Sequence, residues 1–229
     1  MKLSIIIPVY NEKRTIEEVL KRVEQAPTLN YEKEIIVVDD CSSDGTSDIL
    51  EKLKKKFNFV LVRHDKNYGK GKAIKTGLKK VTGNFVLIQD ADLEYDPNDY
   101  ENLLKLADKR VVVFGSRNIN PTGKGYPHYV LGVKILTFLF NLLFKSKLTD
   151  IYTCYKLFPA NLIKSIPFES SGFEFEAEIS ARILKRGYQI KEVPIRYYPR
   201  KFKEGKKIRP LDGLKGLWTI IKFALRKEI

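Results

Sequence analysis

Apolar and polar positions follow two periods along the first half of the chain. Short runs dominated by apolar residues, Leu3 to Ile7, Glu34 to Val38, Phe59 to Val62 and Phe85 to Ile88, predict buried strands. Between them apolar residues recur every three or four positions. Ile16, Val19, Leu20 and Val23 predict a helix, and Thr15 with Glu18 has the spacing of a capping box at its start. Ile49, Leu50, Leu53 and Phe57 predict a second helix after the turn-forming run Ser42 to Thr46. Ala73 to Val81 predicts a third. A helix around Tyr100 to Ala107 leads to a fifth strand, Val111 to Phe114. This alternation predicts an α/β fold, a Rossmann-like, mostly parallel sheet flanked by helices.

The second half is less regular. Val130 to Phe144 is apolar nearly all round, which suits a core helix and an interfacial helix equally. The stretch from Tyr129 to Phe144 carries Lys134 and Asn141 and falls short of the roughly twenty residues a membrane span needs, so no crossing is expected. Glu174 to Arg186 predicts a helix closed by Gly187, and Val193 to Tyr198 a strand. At the end, Leu211, Leu214, Leu217, Trp218, Ile221 and Leu225 fall on one helical face, with Asp212, Lys215, Thr219, Lys222 and Arg226 opposite. Such a stripe packs on its own domain or docks on a membrane surface. The expected organisation is one domain over 1–210, in two halves at about 1–118 and about 119–210. An amphipathic helix over 211–229 follows.

Composition narrows the partners. A chain of 229 residues with 43% hydrophobic content packs a full core, which excludes disorder. Lys plus Arg outnumber Asp plus Glu by 42 to 28, a net charge of +14, and that excess points to polyanions. Lys52, Lys54, Lys55 and Lys56 read as a solvated helix face. The run from Arg200 to Arg209, broken by Gly205 and followed by Pro210, reads as a basic loop. The chain has no nucleic-acid module and no interleaving of aromatic and basic residues, so nucleic acid is not the expected partner. Cys41 and Cys154 have neither metal-ligand spacing nor the look of a disulfide framework, which suits a reducing compartment. The opening MKLSIIIPVY has too short an apolar run for a signal peptide.

In an open parallel sheet, ligands bind at the carboxyl ends of the strands. Pro8-Val9-Tyr10-Asn11-Glu12 follows the first strand, Asp39-Asp40-Cys41-Ser42 the second, and Asp90-Ala91-Asp92-Leu93-Glu94 the fourth. Acids gathered at one edge of a basic chain call for a cation. Asp90 and Asp92, two apart in extended backbone, project to the same side and suit Mg²⁺ or Mn²⁺ completed by substrate phosphates. No glycine-rich phosphate loop is present. The segment Asn67 to Lys72 offers lysines to phosphates, Lys72 among them, though a plain loop before a helix fits it as well. His64 and His128 lack partners at ligand spacing and read as structural or exposed.

Four ordered blocks resemble the family-2 glycosyltransferases of the GT-A fold: Ile5 to Glu12, Ile36 to Thr46, Asn67 to Ala73, and Asp90-Ala91-Asp92. The second half is similar to the polyprenyl-phosphate branch, the dolichyl-phosphate mannose and glucose synthases. That match rests on Gly115-Ser116-Arg117, Thr149-Asp150, Cys154 to Phe158, Phe175-Glu176-Ala177-Glu178, and Arg200 with Glu204 to Ile208. The resemblance implies that Pro8, Tyr10 and Glu12 line a nucleoside pocket, with Asp40 on the base and Asp39 beside it. It implies a metal on Asp90 and Asp92, and Arg117 and Arg200 at the acceptor phosphate or the leaving diphosphate. Glu176 and Glu178 fall near the sugar or the metal, and Glu178 joins Asp92, Arg117 and Arg200 as a candidate catalytic residue. Cys41 stands where the family often has Gly.

The implied reaction is inverting transfer from a nucleotide-sugar donor, GDP-mannose or UDP-glucose, to a polyprenyl-phosphate acceptor, at the cytoplasmic face of a membrane as a peripheral enzyme. Two other readings stay open at this point. One is a hydroxyl acceptor with Glu176 or Glu178 as base, and the other a non-catalytic nucleotide-sugar-binding protein.

Overall fold

The computed structural model describes residues 1–123, 125–200, 205, 207 and 210–226. Strands β1 (Lys2–Val9), β2 (Glu32–Asp39), β3 (Val60–Arg63) and β4 (Phe85–Ile88) are parallel, in the spatial order β3-β2-β1-β4. Helices α1 (Ile16–Gln25), α2 (Thr46–Leu53) and α3 (Lys70–Leu78) connect them. Helices cover the central strand on both faces, so Leu3, Ile5, Ile6 and Ile7 are all fully buried and its sequence is a continuous apolar run. At the β3 edge Val60 is exposed. The expected capping box at α1 does not form. Thr15 makes no side-chain cap, because its hydroxyl is drawn outward to Ala91 O (2.7 Å) and Glu12 Oε2 (2.8 Å).

Beyond β4 the sheet departs from simple alternation. After helix α4 (Tyr100–Leu104), β5 (Val111–Ser116) does not pair with β4. The four-residue strand β6 (Lys156–Pro159) lies between them, antiparallel to both, with Leu87 and Val113 each facing Leu157. β7 (Gln189–Pro194) closes the edge parallel to β5, earlier than the Val193–Tyr198 strand expected. It pairs through its backbone in register with Val111 to Ser116 although its side chains are mostly polar or half-exposed, so apolar content marked the wrong residues. One seven-stranded sheet therefore runs through both halves.

The helices of the second half are α5 (Pro127–Phe144), α6 (Ala160–Ser165), α7 (Phe175–Lys185) and α8 (Pro210–Leu225). Gly187, at φ +75°, stops the chain just after α7. Helix α5 is not a core helix: it buries Thr137 and Phe140 but leaves Leu131, Ile135, Phe138 and Leu142 exposed. Its 18 residues are long and apolar enough to cross a membrane by length and composition, which corrects the expectation that no segment is. In this fold it packs against α7 and α8.

Helix α8 is also turned differently from its sequence stripe. Thr219, Ile220 and Phe223 face inward, while Leu211, Leu214, Trp218 and Leu225 face out. Two features set that rotation. Gly216 lies against Tyr152, where a Cβ would come 2.1 Å from the hydroxyl oxygen. Glu169 receives Lys222 (2.9 Å) and Arg226 (2.6 Å) from the helix.

Candidate active site

A cavity of about 830 Å³ opens at the carboxyl ends of β1, β2 and β4. The sheet order reverses there, since β2 lies on one side of β1 and β4 on the other. Each of the three loops leaving these strands carries a non-glycine residue in left-handed backbone: Asn11 (φ 51°), Cys41 (φ 62°) and Leu93 (φ 63°). Asn tolerates that region; a bulky Leu in it costs about 1–3 kcal/mol and persists only where surrounding contacts hold it.

The carboxylates cluster as the strand ends predict, and basic side chains already meet them. Asp90 Oδ1 lies 2.8 Å from Lys70 Nζ. Asp92 Oδ2 accepts from Arg200 Nη2 at 2.9 Å. Arg200 Nη1 donates to both oxygens of Glu12 at 3.1 Å, and Lys207 Nζ lies 2.6 Å from Glu12 Oε1. Glu94 accepts from the Arg200 backbone N–H (2.8 Å) and the Tyr197 hydroxyl (2.7 Å). Deeper in, Lys70 also reaches Glu176 Oε1 at 3.1 Å, and Glu176 Oε2 contacts the fully buried Lys156. Lys156 further donates to Ile151 O at 3.0 Å. Asp90, Lys70, Glu176 and Lys156 thus form a row of alternating charge running from the cavity into the core.

Titration behaviour follows from this arrangement. Burial, reinforced by Asp90 and Glu94, pushes the Asp92 carboxyl up to about 7 despite Arg200. Burial would raise Asp90 too, but Lys70 outweighs it and holds that carboxyl below its usual range. Lys70 lies well above the ordinary lysine value, since Asp90 and Glu176 overcome its desolvation. For Lys156 desolvation wins, so its value is lowered in spite of Glu176.

Of the residues singled out in the sequence, Pro8, Tyr10, Glu12, Asp40, Asp90, Asp92, Arg117, Glu176 and Arg200 line the cavity. Three do not. Asp39 is spent on its own turn, accepting from Ser42 N at 3.1 Å and from the Ser47 hydroxyl. Lys72 is exposed on α3, while Lys70, two residues earlier and so on another face of the helix, enters the cavity. Glu178 is fully buried away from it, accepting from Glu169 N (2.9 Å), Ser170 N (2.7 Å) and Arg182 Nε (2.7 Å). It holds the loop before α7 and lies outside the cavity lining.

Two further residues are placed but already engaged. Asp40 receives the backbone N–H groups of Tyr68 (2.9 Å) and Gly69 (2.7 Å), and its Oδ1 lies 2.6 Å from His64 Nδ1. It therefore moors the glycine loop to the end of β2. Gly69 (φ +90°) accepts no side chain there, since a Cβ would lie 2.5 Å from Ser171 O. Arg117 forms a bidentate pair with the buried Asp150 (2.6 and 2.8 Å), and its guanidinium sits 5.0 Å from the Tyr197 ring centroid. His64 bridges Asp40 and Thr76 and is structural; His128 is exposed at the cavity rim. Of the basic loop, Arg200, Gly205, Lys207 and the Pro210 backbone are described; the other positions to Arg209, Glu204, Lys206 and Ile208 among them, lie outside the described residues.

The donor set suits a hard divalent cation. Among the described residues no three His, Cys, Asp or Glu side chains are grouped to hold an ion alone. A pair of carboxylates completed by substrate phosphates is the usual Mg²⁺ arrangement. Asp90 and Asp92 therefore fit such an ion, in exchange for part of their contact with Lys70 and Arg200.

Comparison with known proteins gives the family and the fold. Residues 4–166 match Glycosyl transferase family 2. The chain belongs to that family. It is 30% identical over 205 residues to dolichol-phosphate mannosyltransferase of Pyrococcus furiosus, covering 86% of this chain and 56% of that protein. It is 39% identical over 121 residues to undecaprenyl-phosphate 4-deoxy-4-formamido-L-arabinose transferase of Pseudomonas syringae, covering 52% of this chain and 36% of the other. The chain thus spans about a third to just over half the length of these relatives.

Among solved structures, glucosyl-3-phosphoglycerate synthase from Mycobacterium tuberculosis with UDP superposes with a TM-score of 0.73 at 20% identity, over 97% of this chain and 80% of that one. S. aureus TarS with UDP superposes at 0.60 and 24% identity, over 100% and 67%. Both likenesses establish the fold, the GT-A fold.

Proposed function

We propose that this chain is an inverting hexosyltransferase that moves a sugar from a nucleoside-diphosphate sugar, GDP-mannose or UDP-glucose, to a dolichyl-type polyprenyl phosphate. One observation carries the reading: a single cavity joins two chemistries. Its lining includes the charged Asp90, Asp92, Glu12, Lys70 and Arg200 and, from α5, Tyr129, Gly132, Val133 and Leu136. A charged head and an apolar chain are thereby accommodated in one space. The relatives' names, which specify undecaprenyl and dolichol phosphates, support the same acceptor class.

In the reaction an acceptor phosphate oxygen attacks the anomeric carbon while its bond to the diphosphate oxygen breaks. The products are a lipid-linked sugar phosphate and a nucleoside diphosphate. Mg²⁺ or Mn²⁺ on Asp90 and Asp92 would offset charge on the departing diphosphate, and the M. tuberculosis structure crystallised with Mn²⁺ and UDP supports such an ion. Lys70 and Arg200 place permanent positive charge beside that path. Pro8 and Tyr10 form the wall for the nucleoside. A phosphate acceptor is already ionised and needs no base. A hydroxyl acceptor does, and Glu176, held between Lys70 and Lys156, is poorly placed to take a proton.

The outward apolar faces of α5 and α8, flanked by Lys134 and Lys215, suit peripheral binding to an anionic cytoplasmic membrane face. The test is transfer from UDP- and GDP-sugars, with Mg²⁺ or Mn²⁺, to a short polyprenyl phosphate, read by mass. A metal-dependent lipid-linked sugar phosphate is expected; sugar appearing on hydroxyl acceptors alone would overturn the reading.

A further inference from the structure

Gln89 stands at the end of β4, one residue before Asp90, and is buried with 1% exposure. Its backbone N–H donates to Ile6 O at 3.0 Å. Its side-chain Oε1 accepts from two fully buried hydroxyls, Tyr100 (2.6 Å) and Tyr155 (2.7 Å). Its Nε2 donates to the main-chain carbonyl of Asp90 at 2.8 Å. The Asp90 carbonyl, which can only accept, decides which end of the amide is nitrogen, and the hydroxyls donate to the other end. The NH₂ end is then left facing Asp90. A reversed amide would set its oxygen against the Asp90 carbonyl, acceptor facing acceptor.

The turn that follows needs holding. Leu93 is in left-handed backbone, so the path from Asp90 to Glu94 is strained and persists through contacts at its ends. Downstream, Glu94 is fixed by Arg200 N–H and Tyr197, and its carbonyl accepts from Tyr198 N at 2.8 Å. Upstream, Gln89 grips the Asp90 carbonyl. We propose that Gln89 is a positioning residue: with Tyr100 and Tyr155 it sets the main-chain path of Asp90, and so the joint aim of the Asp90 and Asp92 carboxylates at a divalent ion and a donor diphosphate. The proposal rests on the reading of the cavity as a nucleotide-sugar site.

Simple removal confounds folding with aim, because Gln89→Leu leaves two buried hydroxyls unsatisfied. The triple variant Gln89→Leu/Tyr100→Phe/Tyr155→Phe removes the two hydroxyls together with their acceptor, so that only the Asp90 carbonyl loses a partner. UDP and GDP binding is measured by calorimetry with Mn²⁺ and with EDTA, alongside Tm, for wild type and both variants.

The expected result is a lowered Tm for Gln89→Leu and a Tm near wild type for the triple variant. Both should lose Mn²⁺-dependent nucleotide affinity by roughly ten- to a hundredfold, with affinity in EDTA unchanged. Wild-type affinity in the triple variant, or an equal loss with and without Mn²⁺, overturns the positioning role. Absence of Mn²⁺-dependent binding of either nucleotide to the wild type overturns the nucleotide-sugar reading, and this inference with it.

Discussion

The two halves of the chain bring opposite charges to one place. Residues 1–118 supply Glu12, Asp40, Asp90, Asp92 and Glu94 on loops after parallel strands. Residues beyond 119 supply Lys156, Arg200 and Lys207, from a short antiparallel strand and from the loop before α8. The division is not complete: Lys70 and Arg117 are cations of the first half on the cavity wall, and Glu176 is an acid of the second. Alone, the acidic edge repels itself; with the second half in place, Arg200 spans Glu12 and Asp92. The comparison teaches that acids which read in sequence as a metal site are already engaged by the protein's own basic groups. Charge balance at the cavity is therefore a joint property of the two halves.

The most damaging way to break that balance is at its buried end. Lys156→Met leaves Glu176 with Lys70 alone and should cost about 3–5 kcal/mol in urea unfolding. Adding Glu176→Gln should recover part of the loss. A smaller effect separates two neighbouring lysines. Lys70→Ala should weaken nucleotide binding roughly tenfold or more. Lys72→Ala should change it by no more than about twofold. Equal effects would mean that α3 is rotated from the arrangement described.

The smallest test concerns pH without metal. The folded Asp92 value, about 7, lies above its unfolded value near 3.8. The unfolded state then releases this proton first as pH rises, so the contribution lowers stability between about pH 4 and 7 and levels off above. Its slope is at most about 1.4 kcal/mol per pH unit. Urea midpoints in EDTA should show that slope as the difference between wild type and Asp92→Asn.

The first half was largely legible because its local rules agree with one another. Fully buried parallel strands leave unbroken apolar runs, and the carboxyl ends of such strands are where ligands bind. Asp90 and Asp92 could therefore be placed before any coordinates. The second half escaped for separate reasons. β6 is four residues long, begins with a buried lysine and ends in proline, so it carries no strand signature. The outward face of α8 follows from Gly216, Tyr152 and Glu169, none of which belongs to the apolar stripe. Choosing Lys72 over Lys70 was a matter of helix phase, which depends on where α3 begins, and that start is fixed by Asp40 holding Tyr68 and Gly69. Gln89 had no signal beyond a polar residue closing an apolar strand.

The place of β6 in the sheet has a consequence in time. β5 ends at Ser116, but the strand that joins it to β4 begins at Lys156. While a ribosome adds the residues between, a matter of seconds at about 5–20 residues per second, β4 and β5 both present unpaired edges in the nascent chain. A fragment ending at Ser146 should be prone to aggregate for that reason. The protein's exposure to chaperones during synthesis is thus set by the late arrival of one four-residue strand.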